Sequence, residues 1–134
     1  MTVDLRASSA SLRLKHDLGK YVRLSAPDAP EADVEELRRR LVSDLAETRR
    51  TPEATRSAAE LFDAWNADEG PLFEEDEVLR SLREEISEAI EAMRPLLPRL
   101  GSASREELLR LDALSRAVAS GCAALHRETA RRVV

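Results

Sequence analysis

The sequence predicts an all-α protein whose four to five helices pack as an antiparallel bundle. Of its 134 residues, 35% are charged and only 3% are aromatic, which is typical of amphipathic helices that pack through leucine and alanine. Apolar residues also recur at three- and four-residue spacing along most of the chain, as on one face of an α-helix. We expect one domain over residues 1–134, because a chain of this length can bury a core without disulfides or metals.

The first two helices are predicted over residues 7–25 and from about residue 31 to residue 50. Pro27 and Pro30 separate them, because proline removes an amide donor and pushes the preceding residue out of helical geometry. The apolar faces of these two helices consist of Ala7, Ala10, Ser11, Leu14, Leu18, Tyr21 and Ser25, and of Val34, Leu37, Leu41, Leu45 and Thr48.

A third helix is predicted to begin at Thr51-Pro52-Glu53, which has the form of an N-cap followed by proline at the first helical position. It should run to about Ala67, with Trp65 as a core anchor beside Ala58, Leu61 and Phe62. The turn signal Gly70-Pro71 then predicts the longest loop of the chain, over residues 66–72.

The fourth helix is predicted from about Phe73, with a break after Met93 because Pro95 and Pro98 each delete a helical hydrogen bond. A short tail helix to Leu100 can follow. The apolar residues that the fourth helix and its tail turn toward the core are Leu79, Leu82, Ile86, Ile90, Met93, Leu97 and Leu100. Ser104 and Glu107 form a capping box that predicts a fifth helix over residues 105–132. On the fifth helix, Gly121 is a point where another backbone could come close. Cys122 lies among small residues and is expected to be in the core.

Composition also limits the partners and the compartment. The net charge of −5 argues against non-specific nucleic-acid binding, which needs a dominant basic surface. No stretch approaches the roughly 20 apolar residues of a membrane span, and residues 1–11 lack the apolar core of a signal peptide. Cys122 is the only cysteine, so we expect no intrachain disulfide and a reducing, cytoplasmic environment. No ligand spacing typical of a metal site is present, and we expect no metal and no cofactor. Abundant alanine and arginine, with only two lysines, are typical of high-GC bacterial coding.

His16 is the residue that best supports a chemical hypothesis. On a helical wheel it lies opposite the apolar stripe, so it should face solvent. A neutral imidazole is a good nucleophile, the adjacent Asp17 can orient it, and Gly19 leaves room for a partner. A cation can offset the charge of a phosphoryl group on the ring. The residues expected around His16 are Leu12, Arg13, Gly19, Lys20 and Arg23.

The string His16-Asp17-Leu18 resembles the phosphoacceptor box of histidine kinase dimerisation domains. With Gly19-Lys20 it is also similar, in inverted order, to the His-x-x-Lys-Gly box of histidine phosphotransfer domains. The resemblance covers five residues. It implies a two-component signalling protein, in dimeric form, that accepts phosphate on His16 from the aspartate of a receiver domain, with Asp17 as the orienting acid and Lys20 as the charge partner.

Two other interpretations compete for the same residues. His16 and Asp17 are also what an ordinary solvated helix exterior would carry. The string is similar, too, to the His-Asp-x-Gly-Lys string of metal-dependent phosphohydrolases, but the upstream histidine of such a metal site is missing and His16 is expected to point outward.

The sequence therefore predicts first a protein-interaction module without catalysis of its own, and as the alternative a phosphotransfer protein. The partner would be another protein, either a receiver domain or a kinase, contacted through Leu12, Gly19, Lys20 and Arg23. Leucines of the first helix that lie outside its apolar stripe are also compatible with a homodimer. These are Leu5, Leu12 and Leu24.

The remaining polar clusters are predicted to be structural. His126 should lie at the boundary of the core or on the surface. Arg38-Arg39-Arg40 should be a helix exterior that could dock an acidic partner. A glutamate-rich face should pair with arginines at helical spacing and not hold a metal; its acids are Glu84, Glu85, Glu88 and Glu91, and its arginines are Arg80, Arg83 and Arg94.

Overall fold

The computed structural model describes residues 5–19, 34–46, 49–50 and 55–133. Within them five α-helices form a bundle, which confirms the predicted all-α class. The helices are α1 (Leu5–Leu18), α2 (Val34–Leu41), α3 (Ala58–Glu69), α4 (Glu77–Met93) and α5 (Arg105–Ala130). A π-helical turn continues α2, and 3-10 helices follow α3 and α4; these are Val42–Ala46, Gly70–Phe73 and Leu97–Ser102. The short strands β1 (Arg49–Arg50) and β2 (Thr55–Arg56) pair antiparallel.

The helices α4 and α5 form the centre of the bundle and run antiparallel, as predicted. Asp76, just before α4, accepts a hydrogen bond from Nε of Arg132, just after α5, at 2.7 Å. Midway along the pair, Gly121 faces Ile86 so closely that a β-carbon on the glycine would lie 2.8 Å from Cγ1 of the isoleucine. A close contact at Gly121 therefore exists, but the Ile86 side chain makes it and not, as predicted, another backbone.

Trp65 attaches α1 to α3. Its indole Nε1 donates a buried hydrogen bond of 2.8 Å to the carbonyl oxygen of Ala10 in α1. Its ring lies 6.0 Å from that of Phe62 and 5.5 Å from that of Phe73, measured between centroids. Because the side chain is buried and its one donor is satisfied, the predicted role of core anchor is confirmed.

The α2 segment packs through Leu37, Leu41 and Leu45, all buried as predicted. Arg38 differs from the predicted helix exterior. Its Nη1 donates to the carbonyl oxygens of Leu100 and Ala103, at 2.8 and 3.0 Å. The Leu100 carbonyl also accepts a hydrogen bond from the amide of Ala103, which caps the 3-10 helix, so Arg38 adds a second donor at this helix end. Arg38 therefore ties α2 to the α4–α5 connection.

The helix ends near α5 follow the predicted signals. The Ser104 amide donates to Glu107 Oε1 at 2.9 Å, and the Glu107 amide donates to Ser104 Oγ at 3.2 Å, so the capping box is confirmed. The break after Met93 is confirmed as well, with a 3-10 helix to Ser102 beyond it. The helix α5 ends at Ala130, two residues before the predicted end.

Other predicted boundaries are wrong. The helix α1 begins at Leu5, before the predicted start at residue 7. Arg49–Arg50 form a strand instead of a helix end, and Thr55–Arg56 pair with them. The helix α3 consequently begins only at Ala58, where Ser57 is the N-cap and accepts a 3.3 Å hydrogen bond from the Glu60 amide. The predicted N-cap Thr51 lies outside the described residues, as do the predicted helical residues 20–25.

The predicted long loop over residues 66–72 is also wrong. Asn66–Glu69 continue α3, and Gly70-Pro71 open a 3-10 helix, because proline is tolerated in the first turn of a helix. The helix α4 starts at Glu77, not near Phe73, since Asp76 caps it by accepting from the amides of Val78 and Leu79. In the described part of the chain, no helix has both the length and the apolar composition to cross a membrane.

Candidate functional site

The helix α1 has a buried face and an outer face. The buried residues are Ala7, Ala10, Ser11, Leu14 and Leu18, as the spacing predicts. Leu5 is 71% exposed and Leu12 is 51% exposed. His16, one turn after Leu12, is exposed too, in agreement with the helical wheel. Two exposed leucines one heptad apart therefore share the outer part of α1 with the candidate histidine.

Two grooves flank this outer face, and Leu12 and His16 line both of them. We call them the α1–α5 groove and the α1–α3 groove. Each has a volume of about 510 to 520 Å³. Leu12 and His16 therefore form a crest between two depressions, with a different wall on each side.

The α1–α5 groove has small side chains opposite α1 and cations at its rim. Its α1 wall is Leu12, Lys15, His16 and Gly19, and its α5 wall is Ala119, Ser120, Ala123 and Arg127. Lys15 and Arg127 are exposed. Neither they nor His16 form an ion pair within the part of the chain that the structure describes. The groove thus combines apolar contact area with two rim cations that form no salt bridge with those residues.

The α1–α3 groove has the opposite electrostatic character. Asp17, Asp68 and Glu69 contribute carboxylates to its lining. Glu69 is only 9% exposed and lies between two arginines of α1, with Arg13 Nη2 at 2.6 Å and Arg6 Nε at 3.4 Å. Arg13, expected from the sequence to lie near His16 as a phosphate partner, is therefore engaged with Glu69 on the far side of the crest.

Beneath the α1–α5 contact, Ser11 and His126 form a polar pair. The Ser11 hydroxyl is buried, lies 2.9 Å from the carbonyl oxygen of Ser8 and lies 3.0 Å from Nδ1 of His126. His126 is half-buried, so the predicted boundary position is confirmed. Burial lowers the pKa of His126, and the nearby charge of Lys15 lowers it further. The pair therefore joins α1 to α5 best when the imidazole is neutral.

This pair predicts a specific pH dependence of stability. Because the pKa of His126 is lower in the folded protein than its usual 6.5, the unfolded chain takes up the proton at a higher pH. We expect the free energy of unfolding to fall as the pH drops below about 6.5. Urea unfolding at several pH values between 8 and 5.5 measures this. The decline should be smaller in His126→Gln than in the wild type. Equal declines in the wild type and His126→Gln would contradict the assignment.

Comparisons with family models, curated proteins and solved structures find no match to this chain. The site is therefore argued from its own geometry. The structure brings together four of the predicted site residues on one segment, namely Leu12, His16, Asp17 and Gly19. The other two, Lys20 and Arg23, lie outside the described residues.

The structure also gives Gly19 a role that the sequence did not indicate. A β-carbon at this position would collide with the carbonyl oxygen of Lys15, which accepts a 2.7 Å hydrogen bond from the Gly19 amide. The backbone conformation at position 19 therefore requires glycine, apart from any room that the missing side chain leaves for a partner.

Sequence reasoning missed Lys15 and Arg127 as rim cations. Lys15 could have been found from its position one residue before His16. Arg127 could not, because it reaches the groove from α5, and only the packing of α1 on that helix brings it near.

Metal ligands and the cysteine thiol are the other groups that could carry chemistry. The described residues contain no group of three or more histidine, cysteine or acidic side chains that could hold a metal ion. On the glutamate-rich face, Arg80 pairs with Glu84 and Arg94 with Glu91, at 4.0 and 2.8 Å, as predicted. Arg83 departs from that prediction by pairing with Glu74. Cys122 is buried, and burial raises the pKa of its thiol to about 12.

Proposed function

We propose that this protein is an interaction module that binds another protein through the outer face of α1, without catalysis of its own. The observation that carries the proposal is the crest of Leu12 and His16 between two grooves. A half-exposed leucine beside concave surfaces provides the apolar anchor that protein interfaces concentrate at their centres. The single buried thiol, Cys122, fits a reducing compartment, so we place this binding in the cytoplasm.

Charge reversal at the crest tests the proposal. Leu12→Glu should remove the apolar anchor and release a bound partner, because burying the carboxylate at the interface is costly. Leu109→Glu is the matched control, since Leu109 is 48% exposed on α5 and is absent from the linings of both grooves. Tagged proteins would be isolated from cells of the source organism, with bound proteins quantified by mass spectrometry.

We expect at least one protein to be retained by the wild type and Leu109→Glu and lost from Leu12→Glu. Circular dichroism of each variant should match the wild type. If the bound proteins are the same for all three, or if none is retained by the wild type, the outer face of α1 is not a binding surface and the proposal fails.

A second candidate is phosphotransfer on His16 within two-component signalling, favoured by the exposure of that ring beside the rim cations Lys15 and Arg127. In this step the imidazole nitrogen attacks the phosphorus of an aspartyl phosphate on a receiver domain. The P–N bond forms as the acyl P–O bond breaks, the aspartate leaves as a carboxylate, and the ring releases its proton to solvent. The rim cations would attract the anionic phosphoryl group.

Phosphorylated receiver domains from the source organism test this candidate. We expect acid-labile label on the wild type and on His126→Gln, and none on His16→Gln. His126→Gln is the matched control because it removes the other histidine of the chain. A wild type that stays unlabelled across the panel, or label that persists in His16→Gln, would rule out phosphotransfer at this site.

A further inference from the structure

We infer that the α1–α5 groove binds one face of an amphipathic helix whose apolar residues are flanked by aspartate or glutamate. This inference rests on the proposed function and specifies which side of the crest the partner occupies and what chemistry it carries. The shape of the groove, the size of its side chains and the charge of its rim lead to this occupant.

The groove has the shape of a seat for a helix. Its α1 wall extends from Leu12 to Gly19 and its α5 wall from Ala119 to Arg127, which at about 1.5 Å per residue is roughly 10 to 12 Å along each helix. That length is about two helical turns. Partner helices that bind in grooves use anchors at positions i, i+4 and i+7 over the same distance.

The α5 wall lets a helix approach closely. Ala119, Ser120 and Ala123 carry the smallest side chains available apart from glycine, and the distance between packed helices depends on the side chains at their contact. Leu12 stands on the opposite wall with half of its surface exposed. An incoming helix can therefore bury its own apolar residues between Leu12 and the alanines.

The cations at the rim of the α1–α5 groove favour a partner helix that carries acidic residues beside its apolar face. Most arginines with described side chains pair with acids or carbonyls of the same chain, such as Arg13 with Glu69 and Arg94 with Asp63. Lys15 and Arg127 form no salt bridge with a described residue, although the charge of Arg127 acts on the adjacent Glu128. Acidic residues on the partner would complement them, and such complementarity directs both specificity and association rate.

The same charges argue against a second copy of this chain as the occupant. A twofold dimer uses the same patch on both subunits. A dimer centred on the groove would bring the cationic rims of the two copies together. The α1–α3 groove is less suited to an acidic helix, because Asp17 and Asp68 line it and its cation Arg13 is already paired with Glu69.

A display library of helical peptides, randomised on one face, tests the inference whatever the natural partner is. Peptides would be selected on the wild type and counter-selected on Ala123→Trp, which fills the groove. We expect the recovered helices to carry apolar residues at i, i+4 and i+7 with adjacent Asp or Glu. Ala123→Trp should weaken their binding by at least about tenfold, and Ala117→Trp, at an exposed position of the same helix, should leave it unchanged.

Charge variants test the rim independently. The double variant Lys15→Glu/Arg127→Glu should weaken binding of the recovered peptides by at least about tenfold, and added salt should weaken binding to the wild type. Arg105→Glu/Arg110→Glu makes the same charge change at exposed positions of α5 away from the groove lining and should have little effect. Fluorescence anisotropy of labelled peptides measures each affinity.

The inference is overturned if the library yields no binder, if the binders lack acidic enrichment, or if they bind Ala123→Trp as well as the wild type. A wild-type dimer that Ala123→Trp dissociates would assign the groove to a second copy and overturn it too. These failures differ from failure of the proposed function. If Leu12→Glu still releases a native partner while no acidic helix binds the groove, the binding face is right and the occupant is wrong.

Discussion

Trp65→Ala should lower the free energy of unfolding by about 3–5 kcal/mol, the usual cost of truncating a buried large aromatic residue. Three contacts are lost together: the tilted ring contacts with Phe62 and with Phe73, and the hydrogen bond to the Ala10 carbonyl. Because that hydrogen bond holds α1, amide exchange along α1 should also accelerate more than along α5. Urea unfolding and hydrogen exchange measure the two effects.

Trp65→Phe is the matched control for this prediction. It keeps an aromatic ring against Phe62 and Phe73 but removes the donor to Ala10, so we expect a smaller loss than with alanine. If Trp65→Ala lowers the free energy of unfolding by less than about 1 kcal/mol, α1 is not held by this residue, and the described packing of α1 on α3 is wrong.

Gly121→Leu should also destabilise the protein, by about 1–3 kcal/mol, because the new side chain enters a space already filled by Ile86. Ile86→Ala alone should cost about 2–5 kcal/mol through the cavity it leaves. The double variant should be less destabilised than the sum of the two, since the leucine can occupy the vacated volume. Thermal and urea unfolding of the three variants measure this coupling.

Ala117→Leu is the control for the change on α5, because residue 117 is exposed and the added side chain meets no core atoms. It should alter stability by less than about 0.5 kcal/mol. Strict additivity of Gly121→Leu and Ile86→Ala would show that the two residues do not face each other across the α4–α5 interface.

The parts of the fold that the sequence predicts well are those governed by local signals. Apolar spacing indicates the buried faces of α1, α4 and α5. The capping box of Ser104 and Glu107 acts within one helical turn and sets the start of α5. His16 is exposed because periodicity alone determines which face of α1 meets the core.

The errors arise where two local signals compete or where a distant contact decides. Thr51-Pro52 and Ser57 are both plausible helix starts, and the buried Ala58 and Ala59 favour the later one. The dipeptide Gly70-Pro71 also predicts a loop from local sequence, although proline is accepted in the first turn of a 3-10 helix. Arg38 looks like a surface residue until the carbonyls of the α4–α5 connection are placed beside it.

The candidate site shows the same division. Leu12, His16 and Gly19 are close in sequence, so one helical wheel groups them. The two grooves come from the packing of α1 on α3 and α5, which brings Arg127 to one groove and Asp68 to the other. Such tertiary neighbours are not encoded in the spacing of residues along α1.

The claim that α1 binds a protein through its outer face is tested most directly by placing a photoreactive amino acid at Leu12 in cells of the source organism. Irradiation should give a discrete cross-linked adduct, whose partner mass spectrometry would identify. The same photoreactive amino acid at Leu109, equally exposed on α5, should not give that adduct. No adduct from position 12, or the same adduct from both positions, would contradict the claim.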